Sequence, residues 1–148
     1  MAFRFAQLIL ALSLCLPLPL VAKDLSLLDA TLIVEVVGLR SGKGDIHYAV
    51  YDSPEHFPKR KGRVSYGNVP AKVGGVEIPV KGLKRGTYAI AVFHDENRND
   101  EFDQGFLGIP LEDYGFGNNA SGFLGPPSFK DAAVILNKYM ARTVIRLD

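Results

Sequence analysis

Asp95, Asn97, Asn99 and Asp103 occupy positions 1, 3, 5 and 9 of the run DENRNDEFD, and each carries a side-chain oxygen. Glu101 stands at position 7, where an EF-hand-like loop uses a backbone carbonyl. Calcium takes about 6–8 hard oxygen ligands in flexible geometry, and this alternation can turn every second side chain inward. The same nine residues carry five carboxylates against Arg98 alone, a local charge of −4 that repels itself without a nearby cation. The pattern departs from a true EF-hand at Asp100, which replaces the glycine of position 6, and at Phe106, which stands where a bidentate glutamate is used. An ion here needs further ligands, and Glu112 and Asp113 are the candidates. The competing reading is an Asx-rich turn that ends a strand and holds no ion.

The three histidines, His47, His56 and His94, lie on separate segments with no ligand spacing between them. His94 adjoins the acidic run, so His94 with Asp95 or Asp103 could serve general-base chemistry in a small hydrolase or transferase. No G-x-S-x-G occurs to supply a nucleophile elbow, and the glycines do not open a helix as phosphate-binding loops do. The stretch 94–132 is too long for an ordinary connection. It holds Phe102, Phe106, Tyr114, Phe116, Phe123 and Phe129, enough aromatic surface to pack as an ordered excursion. Tyr114, Phe116 or Phe123, if exposed, would offer a stacking surface for a glycan or a protein partner.

The elements that must position these groups read as strands. Segments 31–39, 44–51, 87–93 and 142–147 are rich in Val, Ile, Tyr and Phe between turn residues, and 62–66, 76–80 and 132–136 are weaker candidates. The link 40–43 is short enough for a hairpin between the first two. In 87–93, Tyr88, Ile90 and Val92 share one face and the small Ala89 and Ala91 the other, as expected where a second layer lies close. Only 53–59 suggests a helical turn, begun by Ser53 and Pro54. About seven short strands without core helices predict an all-β fold, two antiparallel sheets packed face to face in an immunoglobulin-like or transthyretin-like sandwich, with a closed barrel as the alternative.

Residues 1–22 begin with Arg4 and then run apolar to Ala22, with Pro17 and Pro19 inside the run. That layout predicts a signal peptide cleaved near Ala22 and a periplasmic or secreted bacterial protein that meets the membrane only through this segment. The remainder, 23–148, is expected to be one domain. It carries 16 basic and 16 acidic side chains, which gives no electrostatic reason to bind nucleic acid. The single cysteine, Cys15, lies inside the leader, so the mature chain has neither disulfide nor thiolate chemistry.

The segments GDIHYAVYDS, GTYAIAVFHDENRND, FLGIP, EDYGFGNNA and GFLGPPSFKDAA resemble, in order, the pattern of the domain of unknown function 2141 family of small exported bacterial proteins. The resemblance runs from Leu32 to Leu147. It differs at Arg98 and Asp100, where similar sequences often have glycine. It implies a transthyretin-like or immunoglobulin-like sandwich and export, and no assigned activity. Three readings stand open: a non-catalytic exported sandwich whose calcium loop orders a surface for an envelope protein or glycan, the hydrolase or transferase above, and a structural envelope module that pairs through a sheet edge.

Overall fold

A computed structural model describes residues 29–147. The leader expected at 1–22 and its cleavage point at Ala22 lie outside these residues. Eight strands form among the described residues: β1 Ala30–Val37, β2 Asp45–Tyr51, β3 Arg63–Pro70, β4 Gly75–Leu83, β5 Gly86–Asp95, β6 Tyr114–Phe116, β7 Ala133–Leu136 and β8 Met140–Arg146. One sheet has the order β4-β1-β8, and the other has β3-β2-β5-β6 with β7 also paired to β5. All seven expected strands are present, and β6 is the one the sequence reading passed over.

The alternation within the strands dictates how the sheets face one another. Leu32, Val34 and Val36 of β1, Ile78 and Val80 of β4 and Ile145 of β8 point into a shared core. Ile46 and Val50 of β2, Tyr88, Ile90 and Val92 of β5 and Leu136 of β7 meet them from the other side. The result is a two-sheet sandwich filled mostly by β-branched and leucine side chains.

Two connections differ from expectation. The link 40–43 does not close a hairpin, because both edges of β1 are already taken, by β4 antiparallel and by β8 parallel. Gly38, at φ 90°, turns the chain out of the sheet, Leu39 is buried in the core, and β2 starts in the opposite sheet. The β1–β8 pair is also parallel, so the sheets are not wholly antiparallel. The turn at Pro54–His56 forms as expected, as a single 3-10 turn with Ser53 Oγ accepting from Glu55 N.

The long segment between β5 and β7 is an ordered layer on the outer face of the five-stranded sheet. It contributes β6, which pairs Tyr114 with Phe93 and Phe116 with Ala91. Ala89, Phe116 and Ala132 form a second small core, with Phe57, Ala91, Tyr114, Ala120 and Phe129 packed around it. The small side chains at Ala89 and Ala91 leave room for that layer. On the opposite side of β6, Gly115 lets β8 approach, since a Cβ there would lie 2.6 Å from Ile145 Cγ2 and 2.8 Å from the Arg146 carbonyl oxygen.

Candidate functional site: the acidic loop and the aromatic row

Strand β5 ends at Asp95, which is fully buried and stands opposite Asp45 of β2. Its carboxylate organises the turn that follows. Oδ1 accepts from the backbone N–H of Arg98 at 2.6 Å and of Asn99 at 3.3 Å, and Oδ2 accepts from Asp100 N–H at 2.8 Å. Two Asx steps carry the chain onward, Asn99 N–H to Asn97 Oδ1 at 3.0 Å and Glu101 N–H to Asn99 Oδ1 at 2.9 Å. The amide groups of Asn97 and Asn99 then close on the carboxylate of Asp103, at 2.7 and 3.0 Å. The backbone N–H of Asp103 in turn donates to Glu112 Oε2 at 3.0 Å.

The structure therefore brings together Asp95, Asn97, Asn99 and Asp103, and it adds Glu112. Glu101 takes part through its backbone, with its side chain exposed. Asp113 is diverted, because its carboxylate is paired with the guanidinium of Arg40. Burial pushes the Glu112 carboxyl above its ordinary value; the bond from Asp103 N–H opposes this, and the charges of Asp103 and Asp95 add to it. Its Oε1 is buried without a hydrogen-bond partner among the described residues. Arg98 and Asp100 both lie in the left-handed region, at φ 60° and 61°. Those are the two positions at which glycine was noted in similar sequences, and glycine reaches that conformation without a Cβ penalty.

The histidines separate into three environments. His94 is 1 % exposed and faces the sandwich interior, where Nε2 donates to the Lys43 carbonyl at 2.7 Å. That bond ties β5 to the start of β2 and leaves Nδ1 3.9 Å from Glu96 Oε1. His56 lies beside Glu55 on the 3-10 turn. His47, on the outer face of β2, lies beside the acidic loop, with Nε2 3.4 Å from Asp95 Oδ2 and 3.5 Å from Asp100 Oδ1. Its approach to the loop depends on a β2–β5 register that pairs His47 with Phe93, information that local spacing does not carry.

From His47 a row of rings crosses the outer face. His47 stacks on Phe93 at 4.8 Å, and edge contacts then run from Phe93 to Phe102, Tyr114, Phe116 and Phe57 at 5.5–5.9 Å between ring centres. Phe57 closes the row against Tyr51 and Phe129. The three residues expected to offer a stacking surface are placed differently from one another. Phe116 is buried at 9 % and Tyr114 is half-buried, because both fill the interface between the excursion and the sheet. Phe123 alone of the three is open, at 95 % exposure.

A family model described as "Uncharacterized protein conserved in bacteria (DUF2141)" matches residues 34–143. The chain belongs to that family. No curated protein and no solved structure matches the chain. The matched span of this DUF2141 chain includes the acidic loop and the whole aromatic row.

The open apolar surface has a signal that the sequence reading missed. The run Gly-Phe-Leu-Gly-x-Pro occurs twice, at 105–110 and at 122–127. In both copies the leucine has positive φ, 60° at Leu107 and 56° at Leu124, and Phe and Leu stand out from the fold. Phe106, Leu107, Phe123 and Leu124 are each more than four-fifths exposed. A repeated motif that holds two large apolar residues in solvent is unusual for surface loops, which tend to be polar.

Proposed function

We propose that this DUF2141 protein is an exported, non-enzymatic sandwich whose acidic loop binds calcium and so fixes the excursion that carries the two Phe-Leu tips. The observation that carries the reading is the meeting of Asp95, Asn97, Asn99, Asp103 and Glu112 around one turn. Its sixth position, Asp100, has the left-handed backbone that an EF-hand-like loop reserves for glycine. The side-chain carbonyls of Asn97 and Asn99 each keep a lone pair beyond the N–H they accept, and the unpartnered Oε1 of Glu112 is a further donor. A cation among these oxygens would relieve the repulsion of five clustered carboxylates, which neutral donors offset in part: backbone N–H groups at Asp95, the Ser41 hydroxyl at Glu96 and two amide NH2 groups at Asp103. The apolar leader ending at Ala22 supports export to the periplasm or beyond, and the exposed Phe-Leu tips suit an envelope protein or glycan as the partner.

Titration calorimetry of calcium into chelator-treated protein tests this reading, with a thermal melt at each end. Saturable binding with a raised melting point is expected, weakened at least tenfold in Asp103→Ala and Glu112→Gln. Asp95→Ala is a poor control, because losing three backbone hydrogen bonds would break the turn with or without an ion. Binding that is absent, or unchanged in both variants, would return the loop to an ordinary Asx-rich turn.

A further inference from the structure

His47 is the one histidine whose ring nitrogen faces carboxylates on two sides. We infer that His47, Asp95 and Asp100 form a binding site for a divalent ion of the zinc type, distinct from the calcium site although Asp95 and Asp100 both belong to the acidic loop. Nε2 of His47 is buried and makes no hydrogen bond among the described residues. It lies 3.4 Å from Asp95 Oδ2 and 3.5 Å from Asp100 Oδ1, and the three donor atoms all fall within 4.8 Å of one another. Metal–ligand bonds of about 2.0–2.1 Å in a tetrahedron place neighbouring donors about 3.3 Å apart. Two edges of the triangle already have that length. The third closes by a small swing of Asp100, whose side chain is 77 % exposed and free to move.

The donor types select the ion. An imidazole nitrogen with two carboxylate oxygens suits zinc or a late first-row neighbour, whereas calcium takes oxygen. A plain ion pair explains the geometry less well. A protonated imidazole would draw one carboxylate to about 2.7–2.9 Å along its N–H, and here neither carboxylate is in hydrogen-bonding position. The ligands are held by groups behind them: Phe93 stacks on the His47 ring, and the N–H groups of Arg98 and Asp100 fix the Asp95 carboxylate. Only three protein ligands converge, which leaves a position on the exposed Asp100 side for water or an incoming donor.

Cobalt(II) titration of the purified protein, followed by zinc displacement, tests the site through the visible ligand-field band of low-coordinate cobalt. We expect that band to appear saturably and zinc to remove it. Zinc affinity should fall at least tenfold in both His47→Gln and Asp100→Asn and stay unchanged in His56→Gln. Asp100→Asn guards against a folding artefact, since the residue is exposed and asparagine accepts positive φ. No saturable band, or zinc affinity retained in both variants, overturns the inference. The two ions are told apart by their variants: Asp103→Ala should weaken calcium and leave zinc, and His47→Gln should do the reverse. Failure of one reading therefore leaves the other standing.

Discussion

The inner face of the five-stranded sheet is covered by aliphatic side chains of the opposite sheet, whereas its outer face is covered around β5 by the chain's own excursion through a row of aromatic rings. The inner layer is strand against strand, with period-two alternation along β1, β2 and β5 supplying a continuous apolar surface. Among the described residues the excursion contributes β6 to the edge of the five-stranded sheet, and its remaining regular structure is two short 3-10 turns, Phe106–Gly108 and Gly117–Asn119. It relies on edge-to-face contacts, each worth about 0.5–1.5 kcal/mol beyond area burial. The inner face thus carries the stability of the fold, and the outer face sets the position of the acidic loop and the Phe-Leu tips. A layer held by fewer, discrete contacts can open without the sandwich unfolding.

The largest effect should come from the inner face. Ile90→Ala empties a fully buried site between the sheets and should cost about 2–5 kcal/mol in urea unfolding, with all probes moving together. Phe57→Ala removes the ring that joins Tyr51, Phe116 and Phe129, and as Phe57 is half-buried the loss should be roughly 1–3 kcal/mol. Its signature is local: amide exchange should accelerate in 114–120 while Ile90 and Val92 keep their protection. Equal losses with one shared transition would mean that the two faces form one cooperative unit.

The same contrast explains what could be read from the sequence. The strands at 31–39, 44–51, 87–93 and 142–147 announced themselves by alternation, those at 62–66, 76–80 and 132–136 only weakly, and the small Ala89 and Ala91 announced the outer layer. Strand β6 did not, because it is three residues long and its central residue is Gly115, which carries no alternation signal. The hairpin expected at 40–43 failed because loop length says which strands can pair, and not that β4 and β8 already occupy both edges of β1. At the site, Asp95, Asn97, Asn99 and Asp103 were legible from spacing, since they are local in the chain. His47 was not, because its place beside Asp95 follows from a pairing between strands some fifty residues apart.

Glu112 gives a smaller effect whose sign separates the ion-free from the ion-bound loop. Its folded carboxyl holds its proton above the ordinary value of 4.5, chiefly through burial. A carboxyl raised on folding makes the folded state bind the extra proton, so stability falls as pH rises from the unfolded value through the folded one. Glu112→Gln removes that loss while its side-chain carbonyl can still accept from Asp103 N–H. Without added ions the variant should therefore gain on the parent as pH is raised from about 4.5. In calcium the order should reverse at neutral pH, because the ion stabilises the charged form. Thermal melts across pH, with and without calcium, read both signs.

The smallest effect concerns the backbone of the turn. Asp100 sits at φ 61°, where a side chain costs about 1–2 kcal/mol in general and less for aspartate, against about 0.5–1 kcal/mol of added chain entropy for glycine. Asp100→Gly should therefore raise stability by no more than about 0.5 kcal/mol, helped by the removal of one of five clustered negative charges. Arg98→Gly relieves the same strain at φ 60° but loses the 3.3 Å contact from Arg98 Nε to Asp45, so it should lie nearer zero. Zinc turns this small difference into a sharp one. The parent keeps Asp100 as a ligand beside His47 and should melt higher as zinc is added, whereas Asp100→Gly, with the turn intact, should not respond. A matching rise in the glycine variant would show that Asp100 shapes the loop without touching the ion.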